Sequence, residues 1–147
     1  MIAFDAEVLI DAADLSNALG RRVAALFEVD PEVLAYVGVG SVLLVPEVLT
    51  EPLRTGGADE QLTLISYLGR LELLPVDAAT AQLALQMAVR YGLRATDASH
   101  LAAAVRAGAD QFLTNNRKDF SRSIAEIDVV YPDDLPDPAS FPPDTPP

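Results

Sequence analysis

The stretch Arg94-Ala-Thr-Asp97-Ala-Ser-His100-Leu-Ala-Ala-Ala-Val105 sets an acid at the start of an otherwise apolar, alanine-rich segment. Asp97, Leu101 and Val105 recur at i, i+4 and i+8, the spacing of one helical face, and Leu101 and Val105 make that face the buried one. Asp97 therefore points inward, or into a cleft, from the first turn. The positive end of a helix compensates such a charge by about 0.3–1 kcal/mol. That does not offset the burial of a carboxylate, so a cation is expected beside it. Other polar groups stand where they can join it: Asp5 after the apolar Ile2-Ala-Phe4, Glu51 on the helix after Val42–Val45, and Asn116 and Asp119 after Gln111–Thr114.

Several carboxylates in one cleft stay ionised together only around a cation. One histidine and no cysteine leave oxygen as the ligand, which favours Mg²⁺, Mn²⁺ or Ca²⁺. Mg²⁺ suits a few carboxylates and retains waters, one of which can be activated as a nucleophile while the ion neutralises charge on a phosphate. Metal-assisted phosphodiester hydrolysis is the reaction class these residues imply.

The elements that position them alternate. Strands are expected at Ile2–Phe4, Val42–Val45, Leu73–Val76, Gln111–Thr114 and Ile127–Tyr131. Helices are expected at Ala6–Ala13, from a Ser16 or Asn17 cap to Phe27 with Leu19, Val23 and Phe27 on one face, after Pro46 with a disturbance at Pro52, and at Gln61–Leu71 with Leu62, Ile65 and Leu68 on one side. Two more follow, one capped by Asp77 and closed by Gly92, the other carrying Asp97 and stopping at Gly108. Short strands alternating with helices argue for a parallel sheet covered on both faces, whose ligand site lies beyond the carboxyl ends of the strands. Asp5, Glu51, Asp97, Asn116 and Asp119 can all reach that rim.

The 147 residues, half of them hydrophobic, suffice for one domain with a real core. The formal net charge of −12 excludes a general attraction to nucleic acid, so a nucleic-acid substrate would need local basic residues or bound cations. The opening Met1-Ile-Ala-Phe is interrupted by Asp5 and Glu7 and does not read as a signal peptide, and no apolar run reaches membrane-spanning length. The expectation is a soluble cytoplasmic protein. Residues 132–147 hold most of the 11 prolines and are expected to be a flexible tail behind a domain of residues 1–131.

Together the acidic segments resemble those of the PIN-domain family. Phe4-Asp5-Ala6 looks like its opening, and Val48-Leu-Thr-Glu51-Pro-Leu-Arg54 like its second segment. Leu93-Arg-Ala-Thr-Asp97-Ala-Ser-His100-Leu-Ala-Ala-Ala104 is similar to its third, and Ala109-Asp-Gln-Phe-Leu-Thr-Asn-Asn-Arg-Lys-Asp-Phe120 to its fourth. The resemblance implies a three-layer α/β/α fold with a central, mostly parallel sheet and a Mg²⁺- or Mn²⁺-dependent endoribonuclease. It further implies a VapC-like toxin of a type II toxin–antitoxin pair, acting on RNA, homodimeric, and inhibited by a DNA-binding antitoxin. Carried across, Asp5 and Asp97 match the core metal ligands and Glu51 the acid of the second segment, with Glu47 one turn earlier as its substitute. The fourth segment departs from the common Thr-x-Asp pattern: it reads Thr114-Asn115-Asn116, so Asn116 brings no charge and Asp119 is offered as the fourth carboxylate. Thr114 is placed to hydrogen-bond Asp5.

Each residue also has an ordinary reading. Asp5 and Asp97 suit helix caps, Glu51 a solvated helix face, Asp119 a surface pair with Arg117 or Lys118, and His100 a packed histidine. Arg94, Arg117 and Lys118 are either phosphate contacts or surface charges. Two rival functions follow: a non-catalytic PIN-like binding module, motivated by Asn116, and a phosphatase using Asp5 as nucleophile, disfavoured because Glu7 stands where a second Asp is usual.

Overall fold

The computed structural model describes residues 1–140. Its centre is a five-stranded sheet, entirely parallel, in the order β3-β2-β1-β4-β5. The strands are β1 (Ile2–Phe4), β2 (Gly38–Ser41), β3 (Leu71–Leu74), β4 (Gln111–Leu113) and β5 (Asp128–Val130). The helices are α1 (Ala6–Ala12), α2 (Ala18–Ala24), α3 (Leu44–Thr55), α4 (Ala58–Gly69), α5 (Ala78–Tyr91) and α6 (Ala95–Arg106). One core joins α5 and α6 to the sheet through Met87, Leu101, Phe112 and Phe120; the other joins α1–α4 through Leu9, Val23, Leu44 and Leu64. This is the expected three-layer α/β/α arrangement.

Local chemistry explains most boundaries. Asn17 caps α2 by accepting from the Gly20 amide at 2.9 Å, and Asp77 caps α5 by accepting from Thr80 at 2.9 Å. Gly56 and Gly92 close α3 and α5 in the left-handed region, at φ 76° and 67°.

The second strand is not Val42–Val45 but Gly38-Val-Gly-Ser41. Strand propensity favours the valines and disfavours glycine, yet close approach decides. A Cβ on Gly38 would lie 2.3 Å from the Ile2 carbonyl oxygen and 2.6 Å from the Phe4 ring. Only a glycine lets β2 lie against β1 there. Val42 sits in the following turn, and Val45 is in the first turn of α3. Helix α3 continues through Pro52 to Thr55, past the position where the sequence predicts a disturbance.

Two further expectations shift. On α4 the buried residues are Leu64 and Leu68, while Leu62 and Ile65 are exposed. Leu64 and Leu68 join the α1–α3 core, and Tyr67 reinforces that register by donating its hydroxyl to the Ala12 carbonyl at 3.0 Å. Leu19 is exposed, and the close α1–α2 contact is made at Gly20, where a Cβ would fall 2.0 Å from the Asp11 carbonyl oxygen.

The described part of the segment expected to be a flexible tail, residues 132–140, is tied to the body. Arg22 donates to the carbonyls of Asp133 and Leu135, Arg117 pairs with Asp133, and Arg122 pairs with Asp134 at 2.7 Å. Two guanidinium groups, those of Arg117 and Arg122, lie over the Tyr131 ring at 4.3 and 4.6 Å. Composition signals low apolar content but not these charge pairs. Residues 141–147 of that expected tail lie outside the described residues.

Gly38→Ala is expected to destabilise the fold by roughly 1–3 kcal/mol or more, because backbone must shift to admit the methyl. Gly40→Ala should cost less, since its nearest neighbour is the movable tip of Leu44. Urea denaturation of the two variants measures the difference.

Candidate active site

The site is assembled at the carboxyl end of the sheet. Parallel pairing of Phe4 with Leu113 brings the next residues of both strands together, and the Asp5 amide extends the ladder to the Leu113 carbonyl at 2.9 Å. Asp5 is buried, at 4% exposure. One carboxylate oxygen accepts from the Ala6 amide at 2.9 Å, and the other from the Thr114 hydroxyl at 2.8 Å. The Thr114 contact is the one anticipated from sequence. Asp5 therefore caps α1 and is also held as a buried acid. Burial pushes its pKa up to about 6, opposed by the Thr114 hydrogen bond, the nearby His100 and the Ala6 amide, and reinforced by Asp97.

Asp97 lies in the first turn of α6 and is half-buried. Its pKa is also raised, chiefly by burial and then by the charges of Glu47 and Asp119. Asp5, Glu47, Asp97 and Asp119 are thus electrostatically linked around Asp97. Glu47 enters from the first turn of α3, where Pro46 is accommodated without loss of an intrahelical hydrogen bond. Glu47 and Asp97 line one cleft of about 410 Å³ together with Arg94. An adjoining cleft of about 510 Å³ is lined by Arg94, Asn116, Lys118 and Asp119.

Glu51 is not among these groups. One helical turn beyond Glu47, its side chain is 75% exposed and lies 3.8 Å from Arg54. The structure brings Glu47 to the rim instead. The substitution follows from the strand shift: with β2 ending at Ser41, α3 begins at Leu44, and its first turn carries Glu47 rather than Glu51.

Asn116 and Asp119 answer each other. The Asn116 side-chain oxygen accepts from the Asp119 amide at 3.2 Å, and its NH₂ group donates to the Asp119 carboxylate at 2.9 Å. Both arms of Asn116 serve the turn after β4, and Asp119 is turned to Asn116 rather than to Arg117 or Lys118. Arg117 also lines this cleft but pairs with Asp133, which leaves Arg94 and Lys118 as its basic residues in no ion pair among the described residues. Two contacts escaped sequence reasoning. His100 meets Glu47 through Nε2, and Asp11 accepts from Asn115 and has its pKa raised by burial. Neither pair has a sequence signal beyond the identities of the residues.

Among the described residues, no three His, Asp or Glu side chains converge closely enough to hold a metal ion as they stand. The donor set is nonetheless composed of hard carboxylate oxygens, and His100 and Arg94 offset their burial and repulsion only in part, since Asp5 and Asp97 remain raised; hard oxygen donors of this kind are the chemistry that Mg²⁺ or Mn²⁺ fits. No described helix is long and apolar enough to cross a membrane.

This geometry, acids from separate segments at one end of a parallel sheet, belongs to a defined class. The family model described as PIN domain matches residues 2–124, and the chain belongs to that family. Two solved structures share the fold. A chain of a toxin–antitoxin complex from Klebsiella pneumoniae is 22% identical with a TM-score of 0.66, over 89% of this chain and 96% of that one. A chain of FitAB bound to an IR36 DNA fragment is 24% identical with a TM-score of 0.59, over 90% of this chain and 95% of that one. No curated protein gives a significant match.

Asp5 supplies a stability test. Its folded pKa of about 6 lies above the ordinary value of 3.8, so the contribution of the protonated form is complete below about pH 4 and is lost as pH rises through 6. At pH 7 the ionised group costs on the order of 3 kcal/mol. In chelator-treated protein, Asp5→Asn is expected to raise stability at pH 7 by up to about that amount and to change little near pH 3.5. Urea unfolding at the two pH values measures this.

Proposed function

We propose that this PIN-domain protein is a Mg²⁺-dependent endoribonuclease and the toxin of a type II toxin–antitoxin pair. The observation that carries the reading is the linked set Asp5, Glu47, Asp97 and Asp119 at the carboxyl end of the sheet, with two of the four held above the ordinary carboxylate range. Asp5 and Asp97 are the central ligands, with Glu47 in the role the sequence assigned to Glu51, and Asp119 the outer acid. Asn116 acts by orienting Asp119 rather than as a ligand. When bound, Mg²⁺ or Mn²⁺ supplies charge neutralisation for the phosphodiester and lowers the pKa of water.

The chain's own residues do the rest. Thr114 and the Ala6 amide fix the Asp5 carboxylate. Arg94 and Lys118 line the adjoining cleft and suit backbone phosphates. An antitoxin partner is supported by the neighbour that is a toxin–antitoxin complex, and homodimerisation by exposed apolar side chains such as Leu62, Ile65, Leu85 and Val89.

The second reading, a PIN-like module that binds without cleaving, is favoured by Asn116 standing where a carboxylate is common and by the engagement of Glu47 with His100 and of Asp119 with Asn116. It requires weak metal affinity.

RNA cleavage in Mg²⁺ decides between them. Asp5→Asn, Asp97→Asn and Glu47→Gln are each expected to lose roughly 10²-fold or more, the scale on which one preorganised group acts, while Glu51→Gln stays near wild type. Unchanged cleavage by Asp5→Asn and Asp97→Asn rejects the proposal. Protons compete with the ion at Asp5, so Mn²⁺ affinity measured by calorimetry is expected to rise as pH passes through about 6.

A further inference from the structure

His100 is a polar ring in an apolar place. It is 2% exposed, on the face of α6 that buries Leu101, Ala103 and Ala104. Its Nε2 meets a carboxylate oxygen of Glu47 on α3. A carboxylate oxygen accepts, so Nε2 carries the hydrogen. Its Nδ1 is buried with no partner. The ring is held by packing and by a single polar contact.

That arrangement is costly for the fold. A leucine at this position would bury similar volume and leave no unpaired nitrogen. The contact with Glu47 is the return. Glu47 has several rotatable bonds and is about one-third exposed, so without an anchor it would sample many positions at the rim. His100 is rigid by comparison, and it rises from α6 one turn after Asp97. The two acids are thereby referred to one helix: Asp97 belongs to it, and Glu47 is tethered to it. Among the described residues, the second Glu47 oxygen accepts no hydrogen bond and remains available. An arginine in its place would set a permanent cation against the acid cluster.

We propose that His100 is a positioning residue that holds Glu47 in register with Asp97, so that the two carboxylates form one cation-binding edge although they come from different helices. The inference rests on the reading of the acids as a divalent-cation site. Its mark is opposite effects on stability and affinity. His100→Leu keeps the fold at least as resistant to urea as wild type but binds Mn²⁺ roughly 10–100-fold more weakly, the scale of an outer residue that orients a ligand. His100→Gln, which returns an N–H near the position of Nε2, recovers much of that affinity. His100→Met, long and without a donor, replaces the leucine variant if packing is perturbed.

Calorimetric titration of the full chain with Mn²⁺ alone is the experiment, on wild type, Asp97→Asn, Glu47→Gln, the His100 variants and the His100→Leu/Glu47→Gln pair. The expected result is that the double variant is no weaker than Glu47→Gln, because His100 acts through Glu47. If wild type binds in an Asp97-dependent manner and His100→Leu and His100→Met bind equally well, the inference falls and the cation site stands. Additive losses in the double variant also overturn it, since His100 would then act elsewhere. If wild type shows no Asp97-dependent binding, the cation site and the inference fall together.

Discussion

A carboxylate buried at the end of the central strand is the constraint on which the rest of the molecule depends. Asp5 follows β1, which is flanked on both sides by parallel neighbours. Burial of an acid is tolerable only with hydrogen bonds to its oxygens. The donors come from two levels of structure: the Ala6 amide from the start of α1, and the Thr114 hydroxyl from the end of β4. The second exists only because Phe4 pairs with Leu113. A slip of one residue would turn Thr114 to the other face of the sheet and leave the acid with the Ala6 amide alone. The register of the sheet and the environment of the acid are therefore one fact.

The other acids arrive by a common device. Asp5 is the cap of α1, Glu47 lies in the first turn of α3, and Asp97 in the first turn of α6. In a parallel sheet with helical crossovers, strand carboxyl ends and helix amino ends meet at the same rim. Three positive helix ends thus face three carboxylates. Each contributes about 0.3–1 kcal/mol, which moderates the crowding without abolishing it: Asp97 remains raised by burial and by its acidic neighbours.

Much of this was legible in the sequence because it rests on short-range chemistry. The caps at Asn17 and Asp77, the glycine stop at Gly92, and the strand before Asp5 are set by residues adjacent in the chain. The family resemblance was carried by acids in order, and the match over residues 2–124 agrees with it. What the sequence hid was tertiary. Gly38 lies in a strand because the β1 backbone leaves no room for a side chain there, which no propensity scale records. That misplacement carried Glu51 to the rim on paper in place of Glu47. On α4, the choice between Leu62 with Ile65 and Leu64 with Leu68 depended on which stripe α1 and α3 would cover. The Glu47–His100 contact spans 53 residues and has no local signature.

The arginines that clasp residues 132–140 have a consequence for long-range electrostatics. The chain has only 10 basic side chains against 22 acidic ones, and Arg22, Arg117 and Arg122 are engaged by Asp137, Asp133 and Asp134. Their fields are cancelled close to the surface, so at a distance a polyanion meets repulsion from almost every direction. Arg94 and Lys118, in no ion pair among the described residues, are basic groups that line the cleft beside the acids. Encounter with such a partner would be slow in dilute buffer and faster as added salt shortens the reach of the repulsion, the reverse of the behaviour of a basic nucleic-acid-binding protein.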